Sequence, residues 1–418
     1  MFAGHRDNAG LVGFTTLLRL CDGIGEFLAD MAGLVIVLTG GCGYVGSRMV
    51  AKMAREETCV RELRVVDVNT SGYRAPEPTN GMKITVMQGD VRDEARMLEV
   101  CTGADVIIHT AALLDFMGKF PDQVVWDINV KVMITRKYNI VCFVKQRVLR
   151  YGGDAWELSG RGRAFLHQRE QRGGVRAEPA GDPVPDGDEE TPYDSSTHSF
   201  FYATTKAEAE DRVLRHDGRR TAGGKTLRTC SLRPMGMYGE GLMNLFVDIE
   251  RAIANKQSTY AIANDKTQRC TFVYLDNFLH ALRLTLDRLV AAPDVVGGQV
   301  YFISDDTPVN NYVDHRKNFL TAIGFTPEEK PFLPIRVLYA LGLVFEFIRW
   351  VLSPVYNFQP PWTSGLILVS NTTMCLRYDK ATRHLGYRPV VPWEEAKRRT
   401  VDWIVAYWAS RQGGMTEG

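Results

Sequence analysis

At 418 residues, 45% of them hydrophobic, the chain is long enough for one large α/β domain with a smaller appendage, or for two domains with sizeable cores. Fifty Lys plus Arg against 49 Asp plus Glu leave no global field to draw in nucleic acid, so no nucleic-acid partner is expected. The eight cysteines, at 21, 42, 59, 101, 142, 230, 270 and 375, form no CxxC pair and have no HExxH or Cys/His cluster beside them; a reducing compartment is expected, and no metal site.

In chain order, the first thirty residues are mildly apolar but interrupted by Arg19, Asp22, Glu26 and Asp30, without a cleavage-site pattern. Met31 stands just before the first strand, so residues 1–30 are expected to be an extension outside the fold. "LVIVLT" (34–39) is a continuous apolar run ending in glycines, as for a strand buried on both faces of a parallel sheet. "TGGCGYVG" (39–46) follows, with Gly40, Gly43 and Gly46 spaced GxxGxxG between that strand and a helical stretch. Glycines are needed there because the turn is tight, the backbone must approach a pyrophosphate, and the helix must pack near the strand. Tyr44 and Val45 belong to the same loop and the same candidate cofactor site. Asp67 closes the second strand, where a carboxylate accepts hydrogen bonds from ribose hydroxyls and repels a 2′-phosphate, favouring NAD over NADP. "GDV" (89–91) ends the third strand and puts Asp90 and Val91 where the adenine would lie, Asp90 facing its amino group. "HTAA" (109–112) ends the fourth, and small Ala111 and Ala112 let the backbone lie against the cofactor. Strand and helix alternating at short intervals predict a Rossmann-like, doubly wound parallel sheet.

From about Lys131 to about Asp188 no period of 3.6 or 2 is sustained, and the second half is rich in Arg, Gly and Pro; a poorly packed segment is expected. Within it "RAFLH" (163–167) looks like the fifth strand. Order returns before "YATTK" (202–206), which sets Tyr202 and Lys206 four apart on one helical face. A tyrosine keeps its proton at neutral pH, but a lysine cation and an oxidised nicotinamide both favour the phenolate, making Tyr202 a candidate general base. Residues 335–352, "IRVLYALGLVFEFIRWVL", are nearly all apolar and bounded by Pro334 and Pro354. With Arg336, Glu346 and Arg349 inside, a spanning helix is marginal; one lying in a membrane interface or packed on the protein fits better. The chain thus divides into an NAD-binding domain (31–235), a smaller substrate-binding region that returns to the sheet (236–330), an apolar membrane-associated segment (331–358) and a C-terminal part (359–418).

These motifs resemble those of the extended short-chain dehydrogenases/reductases: "TGGCGYVG", "YATTK" and "LRPMGMYGEG" (232–241), whose Pro234 the resemblance assigns to the cofactor site. Within that superfamily the chain is similar to the 3β-hydroxysteroid dehydrogenase/Δ5-Δ4 isomerase family. "GQVYFISDDTP" (298–308), "TFVYLDNFLHAL" (271–282), the apolar run and "YDKATRHLGYRPVVPWEEAKRRTVDW" carry this narrower likeness, which spans 31 to about 130 and 188 to 405. It implies a steroid or sterol 3β-hydroxyl as substrate, NAD as oxidant, isomerisation in the same protein, and Lys206 on the ribose. It further implies a homodimer and attachment to the endoplasmic-reticulum or mitochondrial membrane. A sterol-4α-carboxylate 3-dehydrogenase and an NAD-binding protein without turnover are the alternatives; nucleotide-sugar epimerases would have no use for the apolar run.

The same superfamily keeps a Ser or Thr at the end of the fifth strand to steady charge on the substrate oxygen. Here "RAFLH" runs into "QREQRGG", and Ser195, Ser196 and Ser199 stand too near Tyr202 to come from that strand. Synonymous codons for residues 167–181, read one base forward, can spell "TSASSVAVYEPNLQG", with a serine near Gln171. Residues 168–180 therefore read as a frame-shifted stretch, and the chain as written lacks the fourth helix, the end of the fifth strand and the assisting hydroxyl.

Overall fold

A computed structural model describes residues 33–131 except 58, 59, 80 and 116, then 140–144, 183–191, 201–241 except 222 and 223, and 258–413 except 265, 354 and 357. The N-terminal extension, "RAFLH" and the 168–180 stretch lie outside the described residues.

Strand β1 (Leu34–Thr39) lies inside the sheet, paired on both sides. Its Ile36 and Leu38 point into one core and Val35 and Val37 into another, each side chain 2% exposed or less. This is what an unbroken apolar run predicts for a strand covered on both faces. Helix α1 (Tyr44–Glu56) leads to β2 (Val60–Asp67) and β3 (Lys83–Gln88); α2 (Glu94–Cys101), N-capped by Asp93, leads to β4 (Val106–His109). Then come α3 (Asp122–Asn129), β5 (Ile140–Val144), β6 (Val184–Gly187), α4 (Phe201–Leu214) and β7 (Arg228–Pro234). The seven-stranded sheet runs β3-β2-β1-β4-β5-β7-β11, every neighbouring pair parallel, with β11 (Gln299–Ile303) at its edge. The order reverses between β1 and β4, which opens a crevice beyond their carboxyl ends.

Two sequence expectations are corrected here. The place of the fifth strand, between β4 and β7, is filled by Ile140–Val144 and not by residues 163–167. "IVCFV" is a five-residue apolar, β-branched run of the kind that suits a central strand, and it lay hidden among lysines and arginines in a window judged as a whole. The fourth helix is also present, as α3.

Beyond the sheet, β8 (Gly236–Tyr238) pairs with β10 (Phe272–Tyr274), β9 (Thr259–Tyr260) with β12 (Thr326–Pro327), and β6 with β13 (Met374–Leu376). Helix α5 (Leu275–Ala291) packs on the sheet, while α6 (Tyr312–Leu320) and α10 (Trp393–Gly413) enclose an aromatic second core around Tyr238, Phe272, His315, Phe319 and Trp393. The apolar run forms α7 (Ile335–Leu352), followed by α8 (Ser364–Ser370) and α9 (Asp379–Leu385). A Cβ on Gly342 would lie 2.6 Å from the Ser364 nitrogen, so the α7 and α8 backbones touch there. Glu346 accepts from the Ser364 N–H (2.7 Å) and hydroxyl (2.8 Å), closing the start of α8. The other face of α7 carries Phe347 and Trp350, 62% and 71% exposed. Among the described residues no helix is long and apolar enough to cross a membrane.

Candidate active site

A cleft of about 520 Å³ opens at the crevice between β1 and β4. Gly40, Gly43, Tyr44, Val45, Gly46, Asp67, Asp90, Val91, Ala111, Ala112, Tyr202 and Lys206 all line it; Pro234 does not, and is buried at the end of β7 against Ile303.

The glycine loop is held by backbone contact. Gly40 has a left-handed φ of +71°, and a Cβ on it would meet Ala111 N at 2.6 Å. One on Gly46 would meet the Gly40 carbonyl oxygen at 2.2 Å. Only hydrogen fits at either position, so β1, α1 and β4 converge on one point. Gly43 precedes α1 in extended backbone; no side chain caps the helix and no acidic residue stands in its first turn. Its N-terminus therefore presents uncompensated partial positive charge to the cleft, the condition an anion requires.

Asp67 fixes the loop from below. Its Oδ2 accepts from the Cys42 N–H (3.0 Å) and its Oδ1 from the Asn69 N–H (3.2 Å), leaving lone pairs on both oxygens. Burial, with the Asp67 charge nearby, pushes the Cys42 thiol up to about 11, so it stays protonated. Asp90 is more committed than the sequence indicates. Its carboxylate accepts from the Arg92 N–H (2.8 Å) and from Arg92 Nε (3.0 Å to each oxygen), and this bonding holds its carboxyl below the usual range. Arg92 itself lines the cleft, a residue that sequence reasoning passed over.

Tyr202 and Lys206, one turn apart on α4, are each 1% exposed. Burial pushes the Tyr202 phenol well above its ordinary value, so the group holds its proton at neutral pH. The Lys206 charge is felt by His109, which burial first and Lys206 second push down to about 3. His109 Nδ1 lies 2.7 Å from the Thr39 hydroxyl, a buried polar pair beneath the cleft floor. Asn129, at the end of α3, was also missed. Its side chain accepts from Leu113 N–H (2.9 Å) and donates to Leu113 O and Thr205 Oγ1 (3.1 Å each). Thr205 in turn donates to the Tyr202 carbonyl at 2.7 Å. Asn129 thereby ties the cleft wall to the helix that carries Tyr202.

A family model described as 3-beta hydroxysteroid dehydrogenase/isomerase matches residues 37–142 and 174–335, well over half of the chain. The chain belongs to that family. It is 32% identical over 381 residues to the 3 beta-hydroxysteroid dehydrogenase type 7 of Mus musculus, covering 90% of this chain and 97% of the relative. The Homo sapiens protein of the same name is 32% identical over 385 residues, 92% of this chain and 99% of that one. Among solved structures, the dTDP-glucose 4,6-dehydratase DesIV from Streptomyces venezuelae, with NAD and TYD bound, superposes with a TM-score of 0.56 at 18% identity, over 88% of this chain and 96% of that one. That likeness is one of fold. The glycine loop, Asp67, Tyr202 and Lys206 line one cleft, and the residues between 142 and 174, unmatched by the family model, fall within the stretch where the sequence loses its period.

Proposed function

We propose that this chain oxidises the 3β-hydroxyl of a steroid or sterol to the ketone, and that the cofactor is NAD. The observation that carries the reading is the convergence of Tyr202 and Lys206 on the same cleft as Gly40, Gly46 and Asp67. The residues fit NAD: a cradle that any Cβ would fill, an uncapped helix N-terminus for the pyrophosphate, and the Asp67 carboxylate for the ribose hydroxyls. When bound, NAD supplies the acceptor for the hydride that leaves C3. Tyr202 takes the hydroxyl proton as the C–H bond breaks, and Lys206 holds positive charge beside it so that the phenolate is less costly in a buried site. Asn129 keeps α4 and the Leu113 wall in register. Δ5-Δ4 isomerisation and the choice of steroid over a 4α-carboxysterol rest on family membership.

The exposed apolar face of α7, with Phe347 and Trp350, supports a helix that lies in a membrane interface; the endoplasmic reticulum or mitochondrion as its place rests on family membership alone. The deciding experiment follows NADH formation from a 3β-hydroxy-Δ5-steroid, comparing the parent protein with Tyr202→Phe. The variant is expected to lose on the order of 10²–10⁴-fold in rate while binding NADH as tightly. If the parent binds NADH but yields none from any 3β-hydroxysteroid, the chain is a cofactor-binding protein without turnover, and the dehydrogenase reading is overturned.

A further inference from the structure

One arginine joins the apolar helix α7 to the rim of the cleft. Gly118 has a left-handed φ of +62°, and a Cβ built on it would fall 1.7 Å from Arg349 Nη1 and 2.7 Å from Arg349 Cζ. The guanidinium of α7 therefore lies directly on the Gly118 backbone, in space that any other residue would fill. Its charge also reaches Asp122 at the start of α3, whose carboxyl burial pushes up and Arg349 draws back. The turn on which it rests is closed by Asp115, which accepts from the Lys119 N–H (2.8 Å) and the Phe120 N–H (3.0 Å). That turn continues from Leu113 and Leu114, both lining the cleft. Leu113 is bonded through Asn129 to Thr205, one residue before Lys206. A continuous line of contacts thus runs from α7 to the helix that bears Tyr202.

We propose that Arg349 is a positioning residue that latches the turn closed by Asp115 against α7 and so sets the apolar wall, Leu113 and Leu114, on which the steroid lies. The proposal rests on the steroid reading above. Leu114 is 44% exposed, and a flat, apolar ring system is the class of ligand whose burial would cover it. The pyrophosphate end of the cleft depends on a different set of contacts, those of Gly40, Gly46 and Asp67, so the latch acts on the steroid and not on NAD.

The test uses the full chain and three variants. Arg349→Ala removes the latch, Gly118→Ala expels it, and Arg336→Ala takes the same charge from the exposed first turn of α7. In amide exchange without substrate, Lys119 and Phe120 are expected to exchange at least about tenfold faster in the first two variants, with the Gly40–Gly46 amides unchanged and Arg336→Ala like the parent. In kinetics, the steroid KM is expected to rise about tenfold with the Kd for NAD unmoved. Unchanged exchange at Lys119 and Phe120 overturns the latch, whether or not the protein oxidises steroids. Faster exchange spread equally over the glycine loop would make Arg349 a general stabiliser and also overturns it. Loss of protection with the steroid KM unaltered overturns the positioning role. A parent protein that oxidises no 3β-hydroxysteroid sinks the steroid reading, while the exchange result still decides the latch.

Discussion

Tyr202 holds its proton more tightly than a phenol in water because burial penalises the phenolate. A base must be deprotonated to act, so oxidation is expected to quicken with rising pH, by about tenfold per unit while the phenol remains mostly protonated, and ketone reduction to be favoured on the acid side. A profile that falls above neutrality would assign the base elsewhere. Asp67 holds the glycine loop through the Cys42 N–H and, on the proposed function, also meets the ribose. Asp67→Ala is expected to weaken NAD by about tenfold, roughly one lost charge-assisted hydrogen bond, and to narrow the preference for NAD over NADP, read by fluorescence titration with each reduced cofactor. The sequence could single out these residues because part of their constraint is local: Gly40 needs a left-handed φ, Gly46 answers to the Gly40 carbonyl six residues back, and Asp67 ends a recognisable strand; that Gly40 also answers to Ala111 could not be read there. Arg92 and Asn129 were not, since neither belongs to a spaced motif and Asn129 acquires its meaning from Thr205, 76 positions on.

Helices and strands decide how those side chains meet. Asn129→Ala would leave the Leu113 amide and the Thr205 hydroxyl short of a buried partner, at about 1–3 kcal/mol; the expected outcome is a lowered denaturant midpoint together with a reduced kcat, because the same bond aligns α4. A loss of stability with kcat intact would confine Asn129 to the scaffold. For α7, co-sedimentation with phospholipid vesicles is expected to fall at least about tenfold when Phe347 and Trp350 both become glutamate, since a charge in the apolar interface costs more than the aromatic ring gained. Equal binding by that double variant would remove the membrane reading. That residues 335–352 form one helix could be seen in the sequence, whereas β5 could not. A five-residue strand carries too few positions to show a period, and what identifies Ile140–Val144 is its register with His109 and Leu232 on either side.

Across the whole molecule, two buried histidines link the sheet to the second core through a shared response to acid. Burial pushes both His109 and His315 down to about 3, and His315 is stacked 3.7 Å from Phe272. Their folded values lie below the ordinary 6.5 of the unfolded chain, so between these limits the unfolded state binds more protons. Stability is complete above about pH 6.5 and is lost as the pH falls from there towards 3, by about 1.4 kcal/mol per unit for each histidine. Urea unfolding at pH 7 and pH 5 checks the sign; a higher midpoint at pH 5 would refute it. The pairing of β6 with β13 has a consequence for how the chain is made. Arg377 meets Asp188 across 189 positions of sequence, so β6 leaves the ribosome long before its partner exists. At about 5–20 residues per second, the nascent protein waits on the order of ten to forty seconds with one seam unsewn, and chaperones have that interval in which to guard it.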